Sequence, residues 1–174
     1  MSQTTITKAM RLEHPKREEL TEFEPIFQGA EQALGFLPED LLHMARVPEM
    51  LQAFAGMIKT LFSLQRIPPD LTMLIAQAAS VGGECRYCQA HTGAVGARHN
   101  APLEKVKAVF DFETSPLFTD AERAALRVAH AAARVPNEVT DEDFAELREH
   151  YSDEAVTEIV FIISMFGFLN RWNT

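Results

Sequence analysis

Two cysteines and a histidine stand together in the run Cys85-Arg86-Tyr87-Cys88-Gln89-Ala90-His91, and no other stretch of the sequence is so well suited to covalent chemistry. A thiolate is a strong nucleophile, and a second thiol three residues away can draw the first, once oxidised, into a disulfide. If Glu84 to about Ala97 is helical, each residue advances about 100°, so Cys85 and His91 flank Cys88 at roughly 60° on either side. All three then share one face. Cys88 can exchange a proton with His91, directly or through a water, and Cys85 is near enough to close an intrahelical disulfide. Attack by Cys88 on a peroxide oxygen would give a sulfenic acid that Cys85 resolves to a disulfide, which then awaits an external reductant. The spacing alone leaves the reverse order of the two sulfurs open.

The thiol pKa must fall from about 8.5 toward neutrality for this chemistry. The Gly82-Gly83 break places both cysteines in the first turns of a helix, where free N–H groups and the macrodipole favour negative charge. Arg86 adds a positive charge and His91 a base, while Glu84 opposes them. The same C-x-x-C spacing also occurs as half a zinc site or as inert core. Zinc needs four ligands, and beyond Cys85, Cys88 and His91 the sequence offers isolated candidates such as His99, so neither a metal nor a cofactor is assigned.

The elements that must hold this segment read as helices throughout. Leu37-Pro38-Glu39-Asp40 opens one to about Arg46, Pro48 opens another through Leu61, and Pro68-Pro69-Asp70 begins a third, Leu71 to Ser80, apolar around its circumference and therefore buried. Pro102 to Phe110 is amphipathic, with Leu103, Val106 and Val109 inward. Thr119 and Glu122 have capping-box spacing, Thr140 and Asp143 a weaker acidic version, and Ser152 precedes a long apolar helix to about Leu169. That last stretch is too short and too well capped for a membrane span. No strand-like alternation is sustained, so the expected fold class is all-α with about seven to nine helices. Residues 1 to 25 read as an N-terminal arm, from which Phe23, Ile26 and Phe27 dock, and residues 26 to 174 as one domain.

The formal charge of −9, from 25 acidic and 16 basic side chains, repels phosphate backbones and anionic lipid, so neither nucleic acid nor a membrane is an expected partner. The absence of a signal-like apolar run at the N-terminus points to the cytoplasm, where two lone cysteines suggest redox chemistry or metal binding rather than a secreted disulfide framework. His43, His130 and His150 read as surface or packing residues, and Met44, Met50, Met57, Met73 and Met165 as core filling. Tyr87 reads as packing, and Asn170-Arg171-Trp172 as the lock of an interface or helix end rather than a carboxylate site.

The segment from Cys85 to Thr92 resembles the C-x-Y-C-x-x-H motif of the carboxymuconolactone decarboxylase family, in its alkyl hydroperoxidase D-like, peroxidase-related branch. The resemblance extends to Leu34-Gly35-Phe36-Leu37-Pro38, to Met44-Ala45 and Pro48, to Thr114-Ser115-Pro116-Leu117-Phe118, and to the run from Phe166 to Asn173, covering roughly residues 30 to 174. It implies a compact helical domain, homo-oligomers (dimer, trimer or hexamer), and reduction of a small hydroperoxide at the expense of an external dithiol reductant. Cys88 would attack, Cys85 resolve and His91 relay the proton. Two positions depart from the family pattern. Met73 stands where characterised hydroperoxidases of the family carry a relay glutamate, leaving Gln77 one turn later as a group that holds a water, and the histidine falls three residues after Cys88, whereas some hydroperoxidase members have it four after. A non-catalytic redox-sensing or oligomerisation module is the alternative, and lactone decarboxylation, which does not need the cysteine pair, ranks below both.

Overall fold

The computed structural model describes residues 12–173; residues 1–11 of the expected arm, and Thr174, lie outside the described residues. Two 3₁₀ turns, Arg17–Glu19 and Thr21–Phe23, lead into α1 (Glu24–Leu34). Then come α2 (Glu39–Met44), α3 (Pro48–Leu61), α4 (Pro69–Gly82), α5 (Arg86–Arg98) and α6 (Leu103–Ala108) with a 3₁₀ extension, Val109–Asp111. The last three are α7 (Asp120–Ala133), α8 (Asp141–His150) and α9 (Asp153–Trp172). The fold is all-α, with nine α-helices and no strand among the described residues.

The core is arranged around α4, which packs against α5, α7 and α9. Every residue from Leu71 to Ser80 is buried, as an apolar circumference requires. Small side chains set the spacing: Ala76, Ala78 and Ala79 of α4 and Ala124, Ala125 and Ala129 of α7 are all buried, so the two backbones approach closely. The approach is tightest at Gly82, where a Cβ would collide with the carbonyl oxygen of His130. Larger residues fill the spaces between, with Leu74, Ile75, Ile159 and Ile162 wholly enclosed, each worth about 1.5–3 kcal/mol relative to exposure.

Helix starts follow local chemistry. Thr119 and Glu122 form a reciprocal capping box, Thr140 and Asp143 another, and the Ser152 hydroxyl accepts the Ala155 N–H. Tertiary polar contacts then fix α9. The buried Glu158 carboxylate accepts the N–H groups of Arg66 and Ile67 at 3.0 and 3.1 Å and pairs with the Arg66 guanidinium. Asn170 donates to the carbonyl of Ala79 at 3.0 Å, tying α9 to the end of α4. By length and hydropathy α9 would suffice to cross a bilayer, but more than half of it is buried inside the protein, 56% of the apolar window.

Three expectations change. Leu103 is 55% exposed, because the first residue of α6 turns away while Val106 and Val109 face inward. Met50 and Met57 lie on the outer face of α3, unlike the buried Met44, Met73 and Met165. In the Asn170-Arg171-Trp172 run, Arg171 is exposed, so the locking of the helix end falls to Asn170. Phe23 and Phe27 are buried against the body, with Ile26 packed beside them.

Candidate active site

The helix that carries the cysteines begins two residues later than its spacing suggests. Glu84 turns through a left-handed conformation (φ 54°), α5 starts at Arg86, and Cys85 occupies the N-cap in an extended conformation. Its sulfur takes the part that a serine or aspartate oxygen usually plays, accepting the N–H of Cys88 at 3.2 Å. The helical-wheel placement therefore changes for Cys85, which caps the helix that Cys88 and His91 belong to.

The cap brings the sulfurs together. Cys85 Sγ and Cys88 Sγ share a hydrogen bond at 2.6 Å, both residues are buried, and both are free thiols. The hydrogen bond from Cys88, assisted by the N–H groups of Cys88 and Tyr87, draws the Cys85 thiol down to about 7 against the effect of burial. Cys88 is pushed the other way, by sharing that hydrogen bond with Cys85, by burial, and by the negative charges of Cys85 and Asp40. The shared hydrogen bond thus favours ionisation of Cys85 over ionisation of Cys88.

His91 lies in α5, three residues beyond Cys88. Burial alone lowers its ring to about 4, so it is neutral at pH 7. Phe36 meets the ring edge-on at 5.1 Å and Tyr87 packs at 6.1 Å; among the described residues no hydrogen bond joins the imidazole to either sulfur. Met73 is buried in α4. Gln77 is also enclosed, and its Oε1 accepts the hydroxyl of Thr92, which bonds in turn to the carbonyl of Cys88 at 2.8 Å. The position expected to hold a water is thus filled by a side chain.

Two residues assigned no chemistry from the sequence join the group. Asp40, in the first turn of α2, is 5% exposed, and burial pushes its carboxyl up to about 6. Asn173, just past α9, donates from Nδ2 toward Asp40 Oδ2 at 3.5 Å and toward Cys88 Sγ at 3.8 Å. Asp40 Oδ1 and Asn173 Oδ1 are buried without a partner. A cavity of about 430 Å³ opens beside this cluster, lined by Asp40, Met73, His91 and apolar side chains of α1, α3 and α9. The cysteines stand behind that wall rather than in it. No group of three or more His, Cys, Asp or Glu side chains suited to a metal ion occurs among the described residues, and His99 stacks on Phe62 instead.

The model of the carboxymuconolactone decarboxylase family matches residues 48–131. The solved debrominase Bmp8 is 41% identical, with a TM-score of 0.87, over 92% of this chain and 86% of its own. The chain belongs to the carboxymuconolactone decarboxylase family. A Cys→Ala variant of Bmp8, solved in complex with 2,3,4-tribromopyrrole, is 39% identical with a TM-score of 0.89, covering 94% of this chain and 88% of that one. A peroxidase-related protein from Ralstonia eutropha, described as an alkylhydroperoxidase AhpD core, is 25% identical with a TM-score of 0.78, over 92% and 86% of the two chains. This places the chain in the AhpD-like branch of the family. The Escherichia coli protein YnjA is 34% identical over 90 residues, so the match spans 52% of this chain and about half the length of YnjA. The family match covers Cys85, Cys88 and His91 and leaves Asp40 and Asn173 outside.

Proposed function

We propose that this protein is a thiol-dependent hydroperoxide reductase in which Cys88 attacks the peroxide, Cys85 closes the disulfide, and His91 handles a proton at the cavity wall. The observation that carries the proposal is the sulfur pair itself, 2.6 Å apart across a helix N-terminus and one layer behind an apolar cavity. Position favours Cys88 for attack, since its neighbours Asp40 and His91 line the cavity. Contact favours Cys85 for resolution: its sulfur, at the helix N-cap and already against Cys88, is placed to displace hydroxide from a sulfenic acid, and the N–H groups of Tyr87 and Cys88 favour its thiolate. The net reaction consumes two thiols and a hydroperoxide and yields a disulfide, an alcohol and water. An external dithiol returns the pair to its reduced form in the cytoplasm. The unit that acts is residues 26–174, assembled as a homo-oligomer, with residues 1–25 as an arm.

Removal of a halogen from an aromatic ring is a second reading, favoured by the likeness to Bmp8, a debrominase. The electron count is the same, because a thiol pair that becomes a disulfide delivers two electrons to an O–O or a C–Br bond alike. In that case the ring gains a proton and bromide leaves.

The test follows thiol loss and turnover with hydrogen peroxide, an organic hydroperoxide and a brominated pyrrole, each with a dithiol reductant present. Turnover of a hydroperoxide, abolished by Cys88→Ser, is expected; Cys85→Ser should complete a single turnover and leave a trappable sulfenic acid on Cys88. Turnover of the bromopyrrole alone supports the second reading. Slow oxidation of both thiols without turnover, accompanied by a change in assembly size, removes both enzymatic readings and leaves a redox-sensing module.

A further inference from the structure

In any order of attack, Cys88 must lose its proton before a disulfide can form, and a side chain suited to take that proton lies one amide away. Asp40 comes from α2, far from the thiols in sequence, yet it is buried in the same cluster and is linked to Cys88 by Asn173, whose amide nitrogen lies 3.5 Å from Asp40 Oδ2 and 3.8 Å from Cys88 Sγ. Burying a carboxyl with an oxygen left unpartnered is costly. The N–H groups of Leu41 and Asp40 in the first turn of α2 favour the ionised carboxyl without offsetting its burial.

We infer that Asp40 is the acid–base partner of Cys88, taking the thiol proton as the sulfur reacts and returning it to the leaving oxygen, while Asn173 positions the carboxyl against the sulfur. The inference rests on the hydroperoxide reading for its substrate but not for its first step. Asp40 carboxylate accepts the Cys88 proton. The Cys88 thiolate then attacks the terminal peroxide oxygen, forming S–O and breaking O–O, and the alkoxide takes the proton from the Asp40 carboxyl. Cys85 thiolate next displaces hydroxide from Cys88–SOH, forming S–S. Asp40 ends as it began, and the proton of Cys88 resides on the alcohol.

The site has few rivals for the role. Met73 of α4 bears no proton-accepting group, and Gln77 is occupied by Thr92. His91, packed against Phe36 and Tyr87 and lowered by burial to about 4, is a weaker base than Asp40 and makes no hydrogen bond to Cys88 among the described residues, which leaves it the proton traffic at the cavity wall. The titratable groups around Asp40 are Glu39 on its own helix and Tyr87 and Cys88 on α5, with His91 and, from α3, Lys59 along the same cavity. Burial, assisted by the like charge of Glu39, holds the Asp40 carboxyl near 6, where it exchanges protons at physiological pH.

The experiment measures the rate of Cys85–Cys88 disulfide formation against pH in the reduced full-length protein, using hydrogen peroxide and, separately, oxidised glutathione as oxidants. The parent should show an inflection near pH 6. Asp40→Asn should abolish that inflection and slow the reaction at pH 7 by at least about tenfold, the low side of what a positioned acid–base group contributes, and Asp40→Glu should restore part of the rate. A smaller fall or an unchanged profile overturns the assignment. Should Asp40→Asn not fold, a carbon NMR titration of the parent decides: an Asp40 carboxyl titrating near 4 in the reduced protein overturns the assignment, whereas one near 6 that shifts on disulfide formation supports it. An Asp40-dependent profile with oxidised glutathione in a protein that turns over no peroxide would sink the hydroperoxide reading and leave this one standing.

Discussion

Polar groups are buried at both ends of this core, but they are treated oppositely. Around Glu158 the carboxylate collects two backbone N–H groups and a guanidinium. At the thiol end, Asp40 Oδ1, Asn170 Oδ1, Asn173 Oδ1 and Trp172 Nε1 are enclosed without a partner. Each unpartnered atom forfeits about 1–3 kcal/mol. The unpartnered oxygens of the Asp40–Asn173 cluster are thus acceptors left available for chemistry, whereas the Glu158 carboxylate is committed to holding the fold.

Substitutions should therefore act in opposite directions at the two ends. The largest effect is expected for Glu158→Ala, which strands the N–H groups of Arg66 and Ile67 and should lower stability by about 3–5 kcal/mol in denaturant titration; a loss under 1 kcal/mol would erase the contrast.

Asp40→Asn should instead stabilise. The folded protein raises this carboxyl from about 3.8 to about 6. Its contribution to stability is therefore greatest below pH 3.8 and is lost as pH rises through 6, a deficit of up to about 3 kcal/mol at pH 7–8. Asp40→Asn should recover part of that at pH 8 and nothing at pH 3.5. His91 has the opposite sign. Burial lowers it from 6.5 to about 4, so its contribution is present above 6.5 and lost as pH falls through 4. Between pH 6.5 and 4 the two slopes partly cancel. Thermal unfolding of His91→Leu across that window should leave a protein that gains stability on acidification; the same slope as the parent would contradict the opposition. The smallest effect belongs to Thr140→Ala at the start of α8, about 1 kcal/mol with no change in thiol reactivity.

What the sequence made legible was local. The boxes at Thr119 and Thr140, the cap at Ser152 and the apolar circumference of α4 depend on neighbours within a turn or two, and each forms where the spacing places it. The cysteine pair was readable for the same reason. Cys85 as an N-cap was not, because a thiol is not among the usual capping groups and Glu84 had to enter a left-handed conformation to put it there. Asp40 read as one more acid at a helix start, which it also is. Asn173 lay within a run that resembled the family without implying a role. Neither has any local mark of function, since what matters is their contact across the core.

That contact has a kinetic meaning. Asp40 and Asn173 stand 133 residues apart in sequence, so the loop they close takes in about three quarters of the chain, and closures of that span are expected late in folding. Until the last turn of α9 docks, Cys88 has neither its amide neighbour nor its carboxyl, and its proton exchange is that of any thiol in water. A nascent or partly unfolded molecule therefore carries ordinary cysteines, and redox competence arrives together with the native state.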